Sequence, residues 1–261
     1  MPARESTPAG SPCWIDLLTS DTDASRAFYT QLFGWTAEEP DEEYGGYFSF
    51  SQDGALLAGC MAQREDPGGG MPDAWSVYLC VDDAAKTVDA VTEAGGQVFV
   101  PLMPIGDVGT MAFLSDPTGA AIGVWQPGEH KGFGVVGEPN TPAWFELHTR
   151  DYDTAVGFYR DVFGWDAVTA QDTPDFRYTT LHEGDAAEAG IMDSSKFLPE
   201  GVPSHWRVYF AVEDVDVALA KAVELGGAVL QPAEDTPYGR LAVATDTTGA
   251  QFSLMGPNKD A

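Results

Sequence analysis

The sequence predicts an α+β protein made of four successive β-α-β-β-β modules, arranged as two similar copies in tandem. Two observations lead to this prediction. Blocks of aromatic and glycine residues recur about 130 positions apart within the 261 residues, and self-similarity at a fixed spacing marks a repeated structural unit. Within each copy, short apolar stretches with strand character alternate with apolar faces at helical spacing, in the same order twice.

The repeat is defined by residues that return in the same order. Phe28 and Tyr29 recur as Phe158 and Tyr159. The other matched positions are Trp14 with Trp144, Phe33-Gly34-Trp35 with Phe163-Gly164-Trp165, Trp75 with Trp206, Gly95-Gly96 with Gly226-Gly227, and Asp116–Gly119 with Asp246–Gly249. From these matches we predict a flexible leader at 1–11, a first domain at 12–127, a Gly- and Pro-rich linker at 128–141 and a second domain at 142–257.

The elements of the first copy follow from local patterns. A strand at Trp14–Leu18 is followed by Asp21 and Asp23, which are candidate helix N-caps, and Gly34 ends that helix. Strands are expected near 47–50 and 56–61. The pattern then restarts with a strand at 75–81, a helix from Asp82-Asp83 to Gly95, and strands near 98–100, 111–114 and 122–125. The second copy predicts the third and fourth modules at 143–194 and 205–256.

Composition excludes several classes of function. The chain carries 13 Lys and Arg against 41 Asp and Glu, a formal net charge of −28, which argues against nucleic acid and against an anionic membrane as partners. There is no apolar run of about 18 residues and no secretory signal pattern. The three cysteines lack CxxC or Cys/His spacing, so we expect buried thiols in a cytoplasmic protein rather than disulfides or a structural zinc site.

Together these patterns resemble the vicinal-oxygen-chelate superfamily, which includes glyoxalases, bleomycin-resistance proteins and dioxygenases. The resemblance is carried by the Phe-Tyr…Phe-Gly-Trp helix end, the acidic helix start followed by Gly-Gly, and the Asp-Pro-Thr-Gly turn, and it covers residues 12–257. It is nearest to tandem two-domain actinobacterial members. It implies two glyoxalase/bleomycin-resistance-like domains whose cup-shaped mixed sheets surround a small ligand.

Metal-dependent members of this family hold a divalent ion with His, Glu or Gln side chains on the first, fourth, fifth and eighth strands. Transferred to this sequence, three of these positions hold Trp14, Ser76 and Gly123 in the first copy. The second copy has Trp144, Arg207 and Ser253 there, and neither fourth strand offers a His. Trp and Gly side chains supply no suitable donor and Arg repels a cation. We therefore expect no metal and no other cofactor, although a relocated site around Glu146 and His148 is an alternative.

The two-residue period of a strand defines the residues that face into each cup. We predict these as ligand-binding residues: Trp14, Asp16, Ser76, Tyr78, Trp125, Trp144, Glu146, His148, Arg207, Tyr209 and Ser253. Aromatic strand residues more often simply pack in a core, which is the competing interpretation for each Trp and Tyr. Arg207 needs an anionic partner, which could be Glu146, Asp16 or a ligand. His148, Glu146 and Asp16 are the candidate catalytic residues.

The family resemblance leaves the pairing of modules open. In one arrangement the first module pairs with the fourth and the second with the third, so that Trp14 faces Arg207 and Ser253. In the other, the first pairs with the second and the third with the fourth. Gly68-Gly69-Gly70 and Phe197–Gly201 precede the fifth strands of the two copies and are candidate flexible rims.

The predicted function is metal-independent binding of a small aromatic or hydrophobic, antibiotic-like metabolite for sequestration or delivery. The alternative is an enzyme of glyoxalase, dioxygenase or hydroxylase type, with a relocated metal or a metal-free acid–base residue. A structural or regulatory partner protein without a ligand is a third hypothesis. Because the tandem copies can satisfy each other's pairing, a monomer is expected, with a dimer as the alternative.

Overall fold

The computed structural model describes residues 6–63 and 72–259, and within these ranges it contains two eight-stranded mixed sheets, one for each copy of the repeat. The predicted α+β class and its four modules are confirmed. Residues 1–5 of the predicted leader and the Gly68-Gly69-Gly70 rim lie outside the described residues. In the described part of the chain, no helix is both long enough and apolar enough to cross a membrane.

The first copy has two helices and eight strands. They are β1 (Pro12–Thr19), α1 (Thr22–Phe33), β2 (Thr36–Ala37), β3 (Phe48–Gln52), β4 (Ala55–Ala62), β5 (Ala74–Cys80), α2 (Ala84–Glu93), β6 (Gln97–Ile105), β7 (Gly109–Ser115) and β8 (Ala121–Pro127). Helix α1 begins where the Asp21 carboxylate accepts a hydrogen bond from the Ala24 N–H at 2.9 Å. It ends at Gly34, whose φ of 75° is accessible to glycine at little cost.

The second copy repeats this order. It contains β9 (Pro142–Thr149), α3 (Tyr152–Phe163), β10 (Ala167–Asp172), β11 (Arg177–Leu181), β12 (Ala189–Asp193), β13 (His205–Ala211), α4 (Val215–Glu224), β14 (Ala228–Thr236), β15 (Gly239–Thr245) and β16 (Gln251–Gly256). Strands β2 and β10 have no counterpart among the predicted strands. Strand β6 extends well beyond the predicted 98–100, through Pro101 and Pro104, because it lies at the edge of its sheet, where missing N–H donors are tolerated.

Sheet topology decides between the two module pairings. The first sheet has the order β2-β3-β4-β1-β5-β8-β7-β6, and the second has β10-β11-β12-β9-β13-β16-β15-β14. Modules one and two therefore share one sheet, joined by the antiparallel pair β1–β5, and modules three and four share the other through β9–β13. Trp14 consequently pairs with Tyr78 rather than facing Arg207 and Ser253.

The back faces of the two sheets, together with the helices, form a common core. The Tyr159 hydroxyl on α3 donates to Asp116 at 3.1 Å, and Trp206 Nε1 donates to the same hydroxyl at 2.9 Å. Trp75 Nε1 donates to the Tyr29 hydroxyl in the same way at 2.9 Å, and Tyr29 interacts electrostatically with Asp246 of the other copy. The residues that define the repeat thus link each copy to the other, since Tyr159 and Asp116 belong to different copies.

Each sheet bends until its opposite sides approach each other across the other face, which we call the cup face. In the second copy, the ring of Tyr238 from the β14–β15 hairpin stacks on Tyr178 of β11, with centroids 6.5 Å apart. In the first copy, the Tyr44 hydroxyl lies against Gly106 in the β6–β7 turn, 3.6 Å from where a Cβ would stand. Both cups are therefore narrow at the mouth.

The predicted leader and linker are packed where the structure describes them. Gly10 donates its N–H to Cys80 O at 2.8 Å and accepts from Trp165 Nε1 at 2.9 Å, so this end of the leader is fixed rather than flexible. Phe133 in the linker is only 1% exposed and donates its N–H to Cys13 O at 2.8 Å. The linker therefore contributes side chains to the interior of the protein.

Candidate functional site

A buried carboxylate bound by aromatic hydroxyl and indole groups lies at the centre of the first cup. Asp16 Oδ1 accepts hydrogen bonds from Trp14 Nε1 at 2.9 Å and from the Tyr47 hydroxyl at 2.9 Å. Trp14 Nε1 also donates to the Tyr47 hydroxyl at 3.0 Å, and Tyr78 bonds to the same carboxylate. The two-residue period of β1 and its register with β5 bring these groups onto one face.

The second cup repeats this arrangement at the equivalent positions. Glu146 accepts hydrogen bonds from the hydroxyls of Tyr178 at 2.6 Å and Tyr209 at 2.8 Å. Trp144 Nε1 donates to the Tyr178 hydroxyl at 2.9 Å. Each cup therefore contains one carboxylate, two tyrosines and one tryptophan at equivalent positions, but only in the first cup does the tryptophan also donate to the carboxylate.

A histidine pair distinguishes the second cup. His148 Nε2 lies 2.8 Å from Glu146 Oε1, although the N–H does not point along that contact. His148 Nδ1 is 3.1 Å from the Ser194 hydroxyl. On the other side, the ring of His205 stacks on that of His148, with centroids 5.3 Å apart and an interplanar angle of 5°. Leu18 occupies the equivalent of His148 in the first copy, so the first cup has no counterpart to this pair.

The two carboxylates have pKa values displaced in opposite directions. Burial raises the pKa of Asp16, and the bonds from Tyr47, Tyr78 and Trp14 only partly oppose it. Burial also raises the pKa of Glu146, but the contacts with His148, Tyr178 and Tyr209 outweigh it and lower the pKa to about 2. The protein therefore stabilises the protonated form of Asp16 and the ionised form of Glu146, although the two residues are equivalent in the repeat.

The remaining predicted site residues lie around these two centres. Ser76 is paired with Asp16 across β1–β5, and Arg207 is paired with Glu146 across β9–β13. Trp125 donates its Nε1 to His130 O at 3.0 Å at one end of the first cup. Ser253 lies beside Tyr209 on the neighbouring strand and is fully buried. All eleven predicted residues fall within two separate groups, one for each cup.

The residues at the family's metal-ligand positions do not fit a divalent ion. Beside Asp16 on β4 stands Gly59, and a Cβ there would overlap the Tyr47 hydroxyl. Gly190 has the same relation to Tyr178, and a Cβ at Gly123 would overlap the ring of Tyr78. Phenol groups therefore occupy the space that ligand side chains would need. Among the described residues, no group of three or more His, Cys, Asp or Glu side chains could hold a metal ion. Glu146 and His148 therefore have no third ligand of these types beside them.

Sequence reasoning missed two central residues, Tyr47 and Tyr178. They lie at the start of β3 and β11, outside the strands from which the inward-facing residues were predicted. Their signal was present, because they match each other in the repeat, and Tyr47 directly precedes β3 while Tyr178 lies in β11. Their role depends on a side chain reaching across β4 or β12 to the carboxylate, which no local pattern encodes.

Comparison with known proteins supports this fold. A family model described as "Glyoxalase/Bleomycin resistance protein/Dioxygenase superfamily" matches residues 13–124 and 141–254. The chain also resembles the crystal structure of a Mn(II)-bound glyoxalase from Novosphingobium aromaticivorans, with a TM-score of 0.64, 16% identity, and coverage of 97% of this chain and 85% of that chain. The chain belongs to the glyoxalase/bleomycin resistance/dioxygenase superfamily, with one family domain in each copy, as the resemblance predicted.

Two relatives match nearly the whole chain. A Mycobacterium tuberculosis protein named "Putative glyoxylase CFP32" is 42% identical over 260 residues, covering 98% of both chains. The "Anthracycline biosynthesis protein DnrV" of Streptomyces peucetius is 40% identical, covering 94% of this chain and 93% of its own length.

Proposed function

We propose that this protein binds a small, planar aromatic metabolite on a cup face, without a metal ion, for sequestration or delivery. The observation that carries the proposal is a carboxylate bound by tyrosine side chains, with a tryptophan donating into the same cluster, which lies in each cup at the positions where the family places a metal. These groups offer flat aromatic surfaces and directed hydrogen bonds, which suit a ring system bearing oxygen substituents.

The relatives support the chemical class of the ligand. One homologue that is alignable over nearly its full length is named for anthracycline biosynthesis, and anthracyclines are planar aromatic compounds with hydroxyl and carbonyl groups. Hydroxyls on such a ring can donate to the lone pairs that remain on the carboxylate and tyrosine oxygens. Aromatic stacking supplies the remaining affinity.

Intrinsic tryptophan fluorescence tests this proposal directly. We expect 1,4-dihydroxyanthraquinone to quench the emission saturably, since a tryptophan lies in each cup. Treatment with a chelator should leave the affinity unchanged, because the ligand contacts protein groups alone. A stoichiometric metal that copurifies with the protein, and whose removal abolishes binding, would contradict the proposal, as would the absence of saturable quenching.

A second candidate function is metal-free acid–base catalysis in the second cup. It is favoured by one observation, the 2.8 Å contact of His148 Nε2 with Glu146 Oε1, which is backed by Ser194 on Nδ1. However, a carboxylate with a pKa of about 2 is a weak base, and both of its oxygens already accept hydrogen bonds. Binding therefore ranks first. Chemical conversion of a bound anthraquinone, lost in His148→Ala while binding persists, would reverse the ranking.

A further inference from the structure

At three of the positions that the repeat makes equivalent, the second cup is more polar than the first. Where the first copy has Leu18, Ser76 and Gly123, the second has His148, Arg207 and Ser253. Each difference replaces an apolar or small group with a larger polar or charged one. The shared carboxylate centres are therefore surrounded by different chemistry.

Side chains of the protein itself fill the first cup. The ring of His130, from the linker, lies edge-on against Trp14 at 4.3 Å and also contacts Trp125 at 5.5 Å. Phe133 packs against the same Trp14 ring at 5.8 Å. Next to Gly123, the ring of Tyr78 occupies the space that a side chain would take. The linker thus completes an aromatic cluster where the first cup would receive a ligand.

Two polar groups in the second cup are incompletely partnered by the described part of the protein. Ser253 Oγ is fully buried and makes no hydrogen bond among the described residues. Arg207 is half-buried, contacts the Tyr209 side chain, and has no carboxylate within ion-pairing distance in the described chain. Buried polar groups are nearly always paired, so Ser253 indicates a missing partner, and the guanidinium of Arg207 beside it is available to an anion. In the first cup, His130 Nε2 is also buried without a hydrogen-bond partner among the described residues. This atom belongs to the linker that fills the cup rather than to the sheet.

We propose that the second cup alone binds the ligand, and that the ligand is a planar aromatic compound carrying an anionic oxygen, such as a carboxylate, that pairs with Arg207 while Ser253 donates to a neighbouring oxygen. This inference rests on the proposed function. Half-exposed Trp144 and the stacked pair of His148 and His205 offer flat surfaces for the ring system. Because the chain has a net charge of −28, an anionic ligand needs a dedicated cation at its site.

Calorimetric and fluorescence titrations with two probes test the inference. We use anthraquinone-2-carboxylate and its neutral analogue 2-(hydroxymethyl)anthraquinone. The wild-type chain should bind one carboxylate probe per chain, about tenfold or more tightly than the neutral probe, as expected for a charge-assisted hydrogen bond. Arg207→Ser, which installs the residue of the first cup, should remove this preference while leaving the neutral probe nearly unaffected. Ser253→Gly likewise installs the residue of the first cup, Gly123, and should lower the affinity for the carboxylate probe severalfold.

The control is Arg160→Gln, which removes the same charge from an exposed site where, among the described residues, Arg160 pairs with Asp161 alone. It should leave both affinities unchanged. Arg207→Gln provides a second variant closer in size to arginine, and thermal unfolding of all variants confirms that they fold.

The outcomes separate the two proposals. Failure of the wild-type chain to bind either probe would overturn the proposed function and this inference with it. Binding of two probes per chain, or an unchanged carboxylate preference in folded Arg207→Ser and Arg207→Gln, would overturn the inference while leaving the proposed function intact.

Discussion

The opposite pKa displacements of Glu146 and Asp16 predict opposite effects of acid on two matched variants. The pKa of Glu146 falls from its usual 4.5 to about 2 on folding. A carboxyl group whose pKa is lowered in the folded state stabilises the protein above its unfolded pKa, and this contribution is lost as the pH falls toward the folded pKa. For Glu146, which is only 8% exposed, the contribution is about 3 kcal/mol at neutral pH.

The measurement is the free energy of unfolding from urea titrations at several pH values between 5 and 3. Over this range the Glu146 contribution falls by about 2 kcal/mol, since protonation of the unfolded carboxyl group is largely complete at pH 3. The wild-type chain should therefore lose about 2 kcal/mol more than Glu146→Gln on acidification. Glutamine keeps the shape, and its one carbonyl oxygen can still accept from one of the two tyrosines, while its NH2 group can donate to the hydroxyl oxygen of the other.

Asp16→Asn is the matched control with the opposite sign. The pKa of Asp16 is raised on folding, so its protonated form is favoured in the folded state and acidification adds stability through this group. On lowering the pH, Asp16→Asn should therefore lose more stability than the wild-type chain. Parallel pH profiles for the wild-type chain and Glu146→Gln would refute the reasoning, and so would displacements of the two variants in the same direction.

Three further predictions concern the core, the cups and the histidines. Tyr159→Phe removes the bond to Asp116 and the acceptor of Trp206 Nε1, and should cost about 1–3 kcal/mol in urea unfolding; a neutral effect would show that this link between the copies contributes nothing. Gly59→Ala places a Cβ on the Tyr47 hydroxyl and should cost about 1–3 kcal/mol, whereas Gly157→Ala, in open space on α3, should stabilise the protein by about 0.5–1 kcal/mol. Equal effects of the two glycine variants would contradict the packing argument. Burial lowers the pKa of His205 to about 4, so its NMR titration midpoint should lie near 4, and a midpoint near 6.5 would place the ring in water.

The helices and strands could be predicted because the residues that determine them are close together in sequence and recur in both copies. Asp21 and Gly34 bound α1 through a side-chain cap and a left-handed φ, both of which depend on neighbouring residues alone. The alternation along β1 and β5 placed Trp14, Asp16 and Tyr78 on one face for the same reason. The sequence alone also showed that positions such as Gly123 carry no metal-ligand side chain.

Tertiary structure decided how these faces are completed. The pairing of modules depends on which strands meet at the centre of each sheet, and both arrangements satisfy the same strand periods. Tyr47 reaches Asp16 across a strand only because Gly59 leaves room for it, and His130 enters the first cup because the linker returns across that end. Local sequence fixes the direction in which a side chain leaves the backbone. What it meets depends on sheet curvature and on the path of distant segments. The opposite displacements of the Asp16 and Glu146 pKa values combine both levels, since His148 on the same strand is the first influence that lowers the pKa of Glu146, while Tyr178 reaches it from β11.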